Sequence, residues 1–414
     1  MNKQPHIAFV GQDLPFAQVA GHQRVNMALL QFLRTRGWQI SMILTAPRLP
    51  GPVAANPYYP EMPVVGPEIR TLGRLIVPIR AGAFAKLLAK RIVETSPSSV
   101  QYAVQWLRTV GSPATKEVIG RFPSEAQIEW VARWIGAARP DVVLFDTIFR
   151  CPIMPRLSAP LPKTVVLTHD IFHLRHASFM KLGITIEPAK LTYEQESALL
   201  RPADILVAIT PEDRPLLAQM APEAAVVEAS MPVVHAARPP SIGRDPKLAL
   251  FVGSSGIHNV DGLRWLLAEV WPLVRAEMPD ARLAVCGLAS RGILHAPAGV
   301  TLYGQVADLL PHYHTAGHAV CPLRAGSGLK IKMLEYFAHG LPCVTTSVGA
   351  SGFAASAAPP FVVADTPRAF ADAMLRFIVN PKSIAAFETR ALAYCENYSE
   401  ARVFGALHDL MTPR

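Results

Sequence analysis

The sequence has no apolar run long enough to cross a membrane, and it is poor in cysteine. No stretch of the 414 residues approaches the roughly 18 apolar residues that a spanning helix needs. Residues 1–10 lack the long apolar core of a secretory signal. The five cysteines are odd in number and form no CxxC pair, which offers no zinc site and suits a reducing compartment. We therefore expect a cytoplasmic protein.

Charge is also scarce, at 17% of residues, whereas hydrophobic residues make up 50%. This composition excludes a mainly disordered chain, because disordered chains are rich in charge and poor in apolar residues. The length predicts two or three domains. The net charge is +9, and residues 1–240 carry most of it, with 25 basic and 18 acidic side chains. The first half therefore favours an anionic partner, such as nucleic acid, an anionic membrane surface or a phosphorylated substrate.

Three motifs of nucleotide and metal sites are missing. The first predicted strand ends at Gly11 without a GxGxxG, and the chain has no GxxxxGK[ST]. The chain therefore lacks the main sequence signatures of a nicotinamide dehydrogenase and of a P-loop NTPase. No DxD motif is present, so nothing indicates a divalent metal held by aspartates.

What the chain does have is an alternation of strands and helices from end to end. The predicted strands are His6–Gly11, Gln39–Leu44, 141–145, 164–168, 204–209, 248–252, Arg282–Cys286, 300–303, 319–322 and Cys343–Thr345. Continuous apolar strands joined by helices, among them 25–36 and 260–277 with a bend at Pro272, indicate parallel sheets covered on both faces.

A proline-rich stretch without periodicity divides this pattern into two units. Residues 231–247 hold four of the 38 prolines, and we interpret them as a linker. The predicted fold class is α/β, with two doubly wound, Rossmann-like domains that face each other across a cleft. The predicted domains are residues 1–236 and 237–398, and the helix in 399–414 either stays with the second domain or crosses back to the first.

Two segments of the second unit combine glycines with polar side chains directly after predicted strands. In residues 253–259, Gly253 and Ser254 let a ligand approach the backbone, and Asn259 is a good N-cap for the next helix, whose N-terminus attracts phosphate. A plain βα turn capped by asparagine explains this segment equally well. Residues 324–335 lead through a glycine loop into a helix that looks buried.

Lys332 and Glu335 lie three residues apart and therefore on one face of that helix. A lysine in the first turns reinforces an anion site, and a carboxylate can accept hydrogen bonds from the two hydroxyls of a ribose. An ion pair on a solvated helix is the plainer interpretation. The apolar faces of the helix argue against it, because buried charges need partners.

In the first unit, residues 168–170 follow a predicted strand and should point into the cleft. His169 can bond a sugar hydroxyl, and Asp170 can hold its tautomer, although adjacent residues on a strand normally diverge. A loop histidine followed by a capping aspartate is nearly as good an interpretation. Gly21 lies in a second candidate loop, which is otherwise a simple turn.

Residues 70–93 combine basic and apolar side chains. The basic residues are Arg70, Arg74, Arg80, Lys86, Lys90 and Arg91, and no acidic residue occurs before Glu94. Such a segment can lie on an anionic membrane, or pack on the core as a solvated basic helix. Pro78 and Gly82 should interrupt one long helix.

Residues 250–274 and 323–352 resemble the first strand, loop and helix and the donor-binding segment of the retaining glycosyltransferases of family 4, which have the GT-B architecture. The first unit is similar to this family more weakly, through residues 6–11, the loop with Gly21, His22 and Arg24, residues 168–170 and residues 203–209.

The resemblance implies a hexosyltransferase. It would move a sugar from a nucleoside diphosphate sugar (UDP or GDP) to a saccharide, lipid-linked or other envelope acceptor, with retention and without a cofactor or metal. The nucleotide would lie on the second domain and the acceptor on the first. The partners would then be the nucleotide sugar, the acceptor and an anionic membrane surface at residues 70–93 on the inner face of the membrane, with no nucleic acid.

The resemblance also assigns roles to residues. Glu335 matches the second glutamate of the family's pair, which is expected to hold the ribose, and Ser327 stands where the first glutamate belongs. Lys332 matches the lysine of a variant loop and is the candidate for the diphosphate, with Arg324 and Lys330 as second choices. The predicted catalytic residues are His169, Asp170 and Lys332. The predicted donor-binding residues are Gly21, Gly253, Ser254, Asn259, Arg324, Ser327, Gly328, Lys330, Lys332 and Glu335.

Two other functions remain open at this point. A nucleotide-sugar epimerase uses two such domains but needs acidic catalytic residues, of which we identify no convincing set. A catalytically inactive protein that binds nucleotide sugar and supports a partner is favoured by Ser327 and disfavoured by the intact pair of Lys332 and Glu335.

Overall fold

A computed structural model describes residues 4–17, 21–96, 116–118, 120–187, 191–236, 238–239, 241–353 and 358–412. Within them, two parallel sheets dominate the fold. The expected α/β class with two Rossmann-like units is therefore confirmed.

The first sheet has seven strands, all paired in parallel. In chain order its strands are β1 (His6–Gly11), β2 (Gln39–Leu44), β4 (Val64–Val65), β8 (Val142–Asp146), β9 (Lys163–Leu167), β11 (Ile205–Ala208) and β12 (Ala225–Glu228). Their order across the sheet is β12-β11-β9-β8-β1-β2-β4. Strand β1 is buried from Ile7 to Gly11, as expected for a central strand covered on both faces. The order reverses at β1, which is where such sheets bind ligands.

Helices cover both faces of this sheet. They are α1 (Gly21–Thr35), α3 (Glu125–Ala138), α4 (Phe172–Met180), α5 (Tyr193–Leu200) and α6 (Asp213–Met220), with a 3-10 segment at Ile148–Arg156. Helix α3 starts with a capping box in which Ser124 and Gln127 bond each other's backbone amides. The helix predicted over residues 25–36 begins four residues earlier, at Gly21, so Gly21, His22 and Arg24 form its first turn and not a loop.

Residues 69–95 form a small hairpin followed by a helix. Strands β5 (Ile69–Leu72) and β6 (Leu75–Pro78) pair in antiparallel, β6 also pairs with β3 (Ala54–Ala55), and α2 (Ala81–Thr95) follows. The predicted interruption at Pro78 is confirmed, because the proline ends a strand and lacks the amide hydrogen that a helix interior needs. The predicted interruption at Gly82 is wrong, because Gly82 is the second residue of α2. Two further short strands, β7 (Lys116–Val118) and β10 (Thr185–Glu187), pair with each other.

The second sheet has six parallel strands. They are β13 (Asp245–Val252), β14 (Arg282–Cys286), β15 (Val300–Gly304), β16 (Ala316–Cys321), β17 (Cys343–Thr345) and β18 (Phe361–Val363), in the order β15-β14-β13-β16-β17-β18. Two strands begin three residues earlier than predicted, at Asp245 and Ala316. The predicted linker therefore ends at Arg244. Pro246 lies at a register shift in β13, where its missing amide hydrogen breaks no regular ladder.

The helices around the second sheet are α7 (Ile257–Trp265), α8 (Trp271–Glu277), α9 (Leu310–Thr315), α10 (Ile331–Ala338), α11 (Ser347–Ala350), α12 (Pro367–Val379) and α13 (Pro381–Cys395). A π turn at Leu266–Val270 joins α7 to α8 just before Pro272. The predicted helix over residues 260–277 is thus continuous but starts at Ile257. The irregularity lies where the proline cannot donate its amide.

The last helix, α14 (Glu400–Met411), packs against the first sheet's helices. Phe404 is fully buried, with its ring edge-on to Phe32 of α1 at 5.2 Å between centroids. Lys163 Nζ, at the start of β9, donates to the carbonyl of Leu410 at 2.7 Å. In the described part of the chain, no helix is long and apolar enough to cross a membrane.

Candidate functional site

The loops that follow strands of the two sheets touch each other. The Ser327 hydroxyl donates to Asp170 Oδ1, and the Gly326 amide donates to Ser178 Oγ at 3.0 Å. A Cβ added to Gly21 would come within 2.9 Å of Ile331 Cδ1, so the first turn of α1 lies against the start of α10. The carboxyl ends of the strands in both domains therefore border one interdomain site, as expected for two facing doubly wound sheets.

Glu335 lies at this junction and is mostly buried. Its Oε1 pairs with the Arg24 guanidinium of α1, and the Tyr313 hydroxyl donates to Oε2 at 3.3 Å. Burial, and to a lesser extent the Glu335 charge, raise the pKa of Tyr313, so the phenol stays protonated as a donor. The plain alternative, an ion pair between Lys332 and Glu335, is not the contact that this carboxylate makes. Its role toward a ribose stays a prediction.

Lys332 follows the first residue of α10 and points at α7 of the same domain. Its ammonium donates to Asn259 Oδ1 and lies 5.2 Å from the centroid of the Phe251 ring. Burial lowers the pKa of Lys332, although the nearby thiols and Glu335 oppose that shift. A desolvated cation beside a helix N-terminus is suited to an anionic ligand.

Lys330, directly before α10, is nearly fully buried, and no carboxylate of the described residues lies within ion-pair distance of it. Its ammonium donates to the carbonyls of Gly328, at 2.6 Å, and Ser327, at 3.3 Å. Burial lowers the pKa of Lys330 to about 8, against the opposing charge of Asp170. This lysine therefore shapes the loop that carries Ser327, in addition to placing positive charge there.

The glycine loop owes its path to residues that adopt positive φ. Gly326 and Gly328 have φ of 130° and 66°, a region that favours glycine. A Cβ on Gly328 would also come within 3.0 Å of the His169 carbonyl oxygen. Ser327, between them, contacts Asp170 of the first domain. The predicted loop residues Ser327 and Gly328 thus lie together with His169 and Asp170.

The segment after β13 differs from the prediction in one respect. Gly256 is the N-cap of α7, and Asn259 is the third residue of the helix. The Asn259 side chain is buried and donates to Ser254 Oγ at 3.0 Å while it accepts from Lys332. It therefore links the β13 loop to α10 and caps no helix. Gly253 lies against the Phe251 ring, where a Cβ would come within 2.7 Å.

Arg324 is bound to a residue outside this cluster. It makes a bidentate ion pair with Asp261 of α7, at 2.6 and 3.0 Å, and remains partly exposed. The structure does not bring its guanidinium into contact with Lys330, Lys332 or Glu335.

The prediction that Asp170 holds the His169 imidazole is wrong. Asp170 accepts from Arg175 at 2.5 Å and from Ser327, whereas His169 Nε2 lies 2.9 Å from Asn26 Oδ1 and 3.1 Å from Asp146 Oδ1. The two neighbouring side chains diverge because His169 adopts φ of 56° at the turn after β9. The turn directs histidine to the first domain and aspartate to the second.

Sequence reasoning missed Asp146, Asn26 and Tyr313 as members of this site. Asp146 directly follows the predicted apolar strand 141–145, so the rule that sites follow strands could have found it. Asn26 and Tyr313 are polar residues within helical patterns, and their positions depend on how helices pack against the sheets. No local signal distinguishes them from ordinary helix residues.

Comparisons with known proteins identify a family model and a relative with similar sequence. Residues 246–380 match the family model described as glycosyl transferases group 1. A relative from Klebsiella pneumoniae, described as an uncharacterized 44.6 kDa protein in the cps region, is 27% identical over 171 residues. That match covers 38% of this chain and 44% of the relative, which is less than half of either.

Solved structures are similar over nearly the whole chain. HepE from Anabaena, in complex with UDP and glucose, is 10% identical with a TM-score of 0.62, over 98% of this chain and 99% of that chain. WaaG, a glycosyltransferase involved in lipopolysaccharide biosynthesis, is 14% identical with a TM-score of 0.60, over 99% and 100%. Likeness at these identities establishes the GT-B fold. Together with the match of residues 246–380 to the glycosyl transferases group 1 model, it agrees with the resemblance seen in the sequence.

Proposed function

We propose that the protein transfers a sugar from a nucleoside diphosphate sugar, UDP or GDP, to a saccharide or lipid-linked acceptor. The observation that carries this proposal is the grouping of Lys332, Lys330 and Glu335 around the start of α10, opposite His169 of the first domain. UDP in the similar HepE structure supports a uridine nucleotide as donor. The printed descriptions of WaaG and the Klebsiella relative support an envelope polysaccharide as the product.

The chemistry of the leaving group accounts for the buried lysines. Departure of a nucleoside diphosphate develops negative charge on its β-phosphate, and fixed cations and amide groups stabilise that charge. Lys332 is the candidate for this contact, because Asn259 already orients its ammonium and the surrounding aromatic ring excludes water. We propose that these cations serve in place of a metal ion and that the configuration at the anomeric carbon is retained.

The proposal is tested by incubating UDP, GDP and ADP sugars with saccharide and lipid-linked acceptors and following free nucleotide and products by mass spectrometry. We expect nucleotide release that requires an acceptor, and a product whose anomeric configuration matches the donor by NMR. Activity should persist in the presence of EDTA. Nucleotide binding without acceptor-dependent release would favour the inactive binding protein, and recovery of an epimeric nucleotide sugar would favour the epimerase.

Lys332→Ala should lower kcat more than it weakens donor binding, because the charge it meets grows in the transition state. A loss of about 100-fold is typical when one such donor is removed. Arg324→Ala is the matched control, because this cation is partly exposed and already paired with Asp261. Unchanged turnover in Lys332→Ala would move the diphosphate role to Lys330.

We further propose that the hairpin and α2 contact an anionic membrane surface. The exposed apolar side chains there are Leu72, Leu75, Ile79, Phe84, Leu88 and Ile92. They alternate with the basic residues of the same segment, and Leu87 of this helix packs against the core. Apolar groups that remain in water beside clustered cations match the chemistry of an anionic bilayer. A lipid-linked acceptor would then meet the protein at that surface.

A further inference from the structure

A buried polar cluster lies at the carboxyl ends of β8 and β9, next to the proposed sugar site. It consists of Asp146, Asn26 and His169, whose side chains are each about one-tenth exposed or less. Asp146 ends β8, Asn26 belongs to α1, and His169 follows β9. Three elements of the first domain therefore converge on one imidazole ring.

The hydrogen bonds in this cluster define which nitrogen of His169 carries the proton. Asn26 Nδ2 donates to Asp146 Oδ1 at 2.9 Å, so the Asn26 oxygen is the atom that faces His169 Nε2. Nε2 thus lies between two acceptors, the Asn26 oxygen and the Asp146 carboxylate. Only a protonated Nε2 satisfies both, which leaves Nδ1 of the neutral ring with a free lone pair.

Asp146 is ionised and acts as an acceptor only. Burial opposes its ionisation, but the hydrogen bonds from His169 and Asn26 contribute to lowering the pKa of Asp146 to about 2. Nothing in the cluster can therefore donate a proton to Nε2. Within the described residues, Nδ1 of His169 has no hydrogen-bond partner.

The backbone on both sides of the cluster is held in an uncommon conformation. Thr147, directly after Asp146, has φ of 65°, and His169 has φ of 56°. Such a conformation is strained for a residue other than glycine, and residues of this kind collect at functional sites. The His169 carbonyl lies against Gly328 of the second domain, so this strained turn borders the interdomain site.

From this geometry we propose that Asp146 and Asn26 are positioning residues that hold His169 in its Nε2–H tautomer, so that Nδ1 accepts a hydrogen bond from a sugar hydroxyl. Asp146 and Asn26 act through His169 and touch no substrate. The proposal rests on the proposed function, because it assumes that a sugar enters the site beside His169.

Long-range proton–nitrogen NMR spectra of protein labelled in its histidines test this proposal without an activity assay. The His169 signals are assigned with His169→Gln. In the wild type we expect a protonated Nε2 and an unprotonated Nδ1. In Asp146→Asn and in Asn26→Leu we expect a mixture of tautomers, and kcat should fall by roughly tenfold to a hundredfold at unchanged nucleotide affinity.

Asp204→Asn is the matched control. Asp204 also bonds strand residues of the first sheet, accepting from the Thr164 amide at 2.7 Å, but it lies at the opposite ends of the strands. It should leave the His169 tautomer unchanged. A protonated Nδ1 in the wild type, or an unaltered tautomer in both Asp146→Asn and Asn26→Leu, overturns the proposal.

A titration separates this inference from the proposed function. The nucleotide sugar should shift the Nδ1 signal of His169, whereas UDP alone should not. Binding of the nucleotide sugar with no change at Nδ1 overturns the inference and leaves the function intact. If no nucleotide sugar binds at all, the proposed function is refuted. The proposed hydrogen bond from a sugar hydroxyl to Nδ1 is then refuted as well, whichever tautomer His169 adopts.

Discussion

At the scale of single residues, the two carboxylates of the site each have a partner in the facing domain. Glu335 of the second domain pairs with Arg24 of the first, and Asp170 of the first accepts from Ser327 of the second. Lys330 and Lys332 instead use neutral oxygens of their own domain. The two lysines therefore keep a net positive charge available for an anionic ligand, while the carboxylates are occupied.

Glu335→Gln tests the role of this carboxylate. If it accepts hydrogen bonds from ribose hydroxyls, the variant loses the charge-assisted part of those bonds, and UDP or GDP affinity should fall by about 10- to 100-fold. Isothermal calorimetry measures the change. Glu277→Gln is the control, because Glu277 pairs with Arg368 on an exposed surface of the same domain. Wild-type affinity in Glu335→Gln would refute the ribose assignment.

His318 should make the stability of the second domain sensitive to acid. Its ring is fully buried, and neither nitrogen has a hydrogen-bond partner in the described residues. Burial lowers the pKa of His318 from 6.5 to about 3. Below pH 6.5, His318 becomes protonated in the unfolded chain but stays neutral in the folded protein. The free energy of unfolding therefore falls as the pH drops toward 3.

Denaturant unfolding at several pH values measures this effect. One such proton corresponds to about 1.4 kcal/mol per pH unit between those two values. His318→Leu should remove that part of the slope, whereas the exposed His295→Leu should not. Equal slopes in wild type and His318→Leu would show that the ring is protonated in the folded state.

At the scale of elements, the loops after parallel strands carry the site and the helices hold it in place. Helix α10 supplies Lys332 and Glu335 on one face, as its spacing predicts, while its other face is buried in the core. Helix α1 supplies Arg24 and Asn26 from its first two turns. The amphipathic α2 is different, because Phe84, Leu88 and Ile92 remain exposed to water.

Vesicle co-sedimentation tests the membrane contact of α2. Binding to vesicles with anionic lipid should exceed binding to neutral vesicles and weaken with salt. Lys86→Gln should reduce the affinity about fivefold, since each basic residue near such a surface contributes about 1 kcal/mol. Leu88→Ser should also reduce it, while Leu294→Ser, at a highly exposed apolar residue elsewhere, should not. Equal binding to neutral and anionic vesicles would contradict the proposal.

At the scale of the whole molecule, the two domains share polar contacts that involve both helices and loops. Arg24 and Glu335, Ser327 and Asp170, and Gly326 and Ser178 join them. A nucleotide that bonds Glu335 must compete with Arg24 for the same carboxylate. The interdomain ion pair therefore opposes donor binding.

Arg24→Gln should strengthen nucleotide binding, because the competing ion pair is removed. A partly exposed pair contributes about 0.2–1 kcal/mol, so the gain should be at most about fivefold. Calorimetry at low and high salt measures it, and the gain should shrink as salt screens the pair. In a Glu335→Gln background, Arg24→Gln should have no effect. Weaker binding in Arg24→Gln alone would show that the arginine itself contacts the nucleotide.

Local pattern was enough to predict much of the fold and part of the site. The continuous apolar strands and the glycine loop of residues 324–335 indicated two parallel sheets with a site after their strands. Errors occurred at the boundaries of helices. Asn259 was predicted as the N-cap of a helix but is the third residue of α7, and Gly21 was assigned to a loop but begins α1. Helix ends depend on which backbone amides find partners, and propensity alone does not fix them.

By itself, the sequence determined the alternation of elements, the parallel sheets and the shared face of Lys332 and Glu335, because these follow from continuous apolar runs and from a period of 3.6 residues along the chain. Only the tertiary structure decided which side chains of the site form hydrogen bonds with each other. Asp170 points away from its neighbour His169. The imidazole of His169 instead contacts Asp146, which lies 23 positions earlier in the chain, and Asn26, which lies 143 positions earlier. Such partnerships depend on strand order and on the conformation of single turns, and neither is encoded in the spacing of adjacent residues.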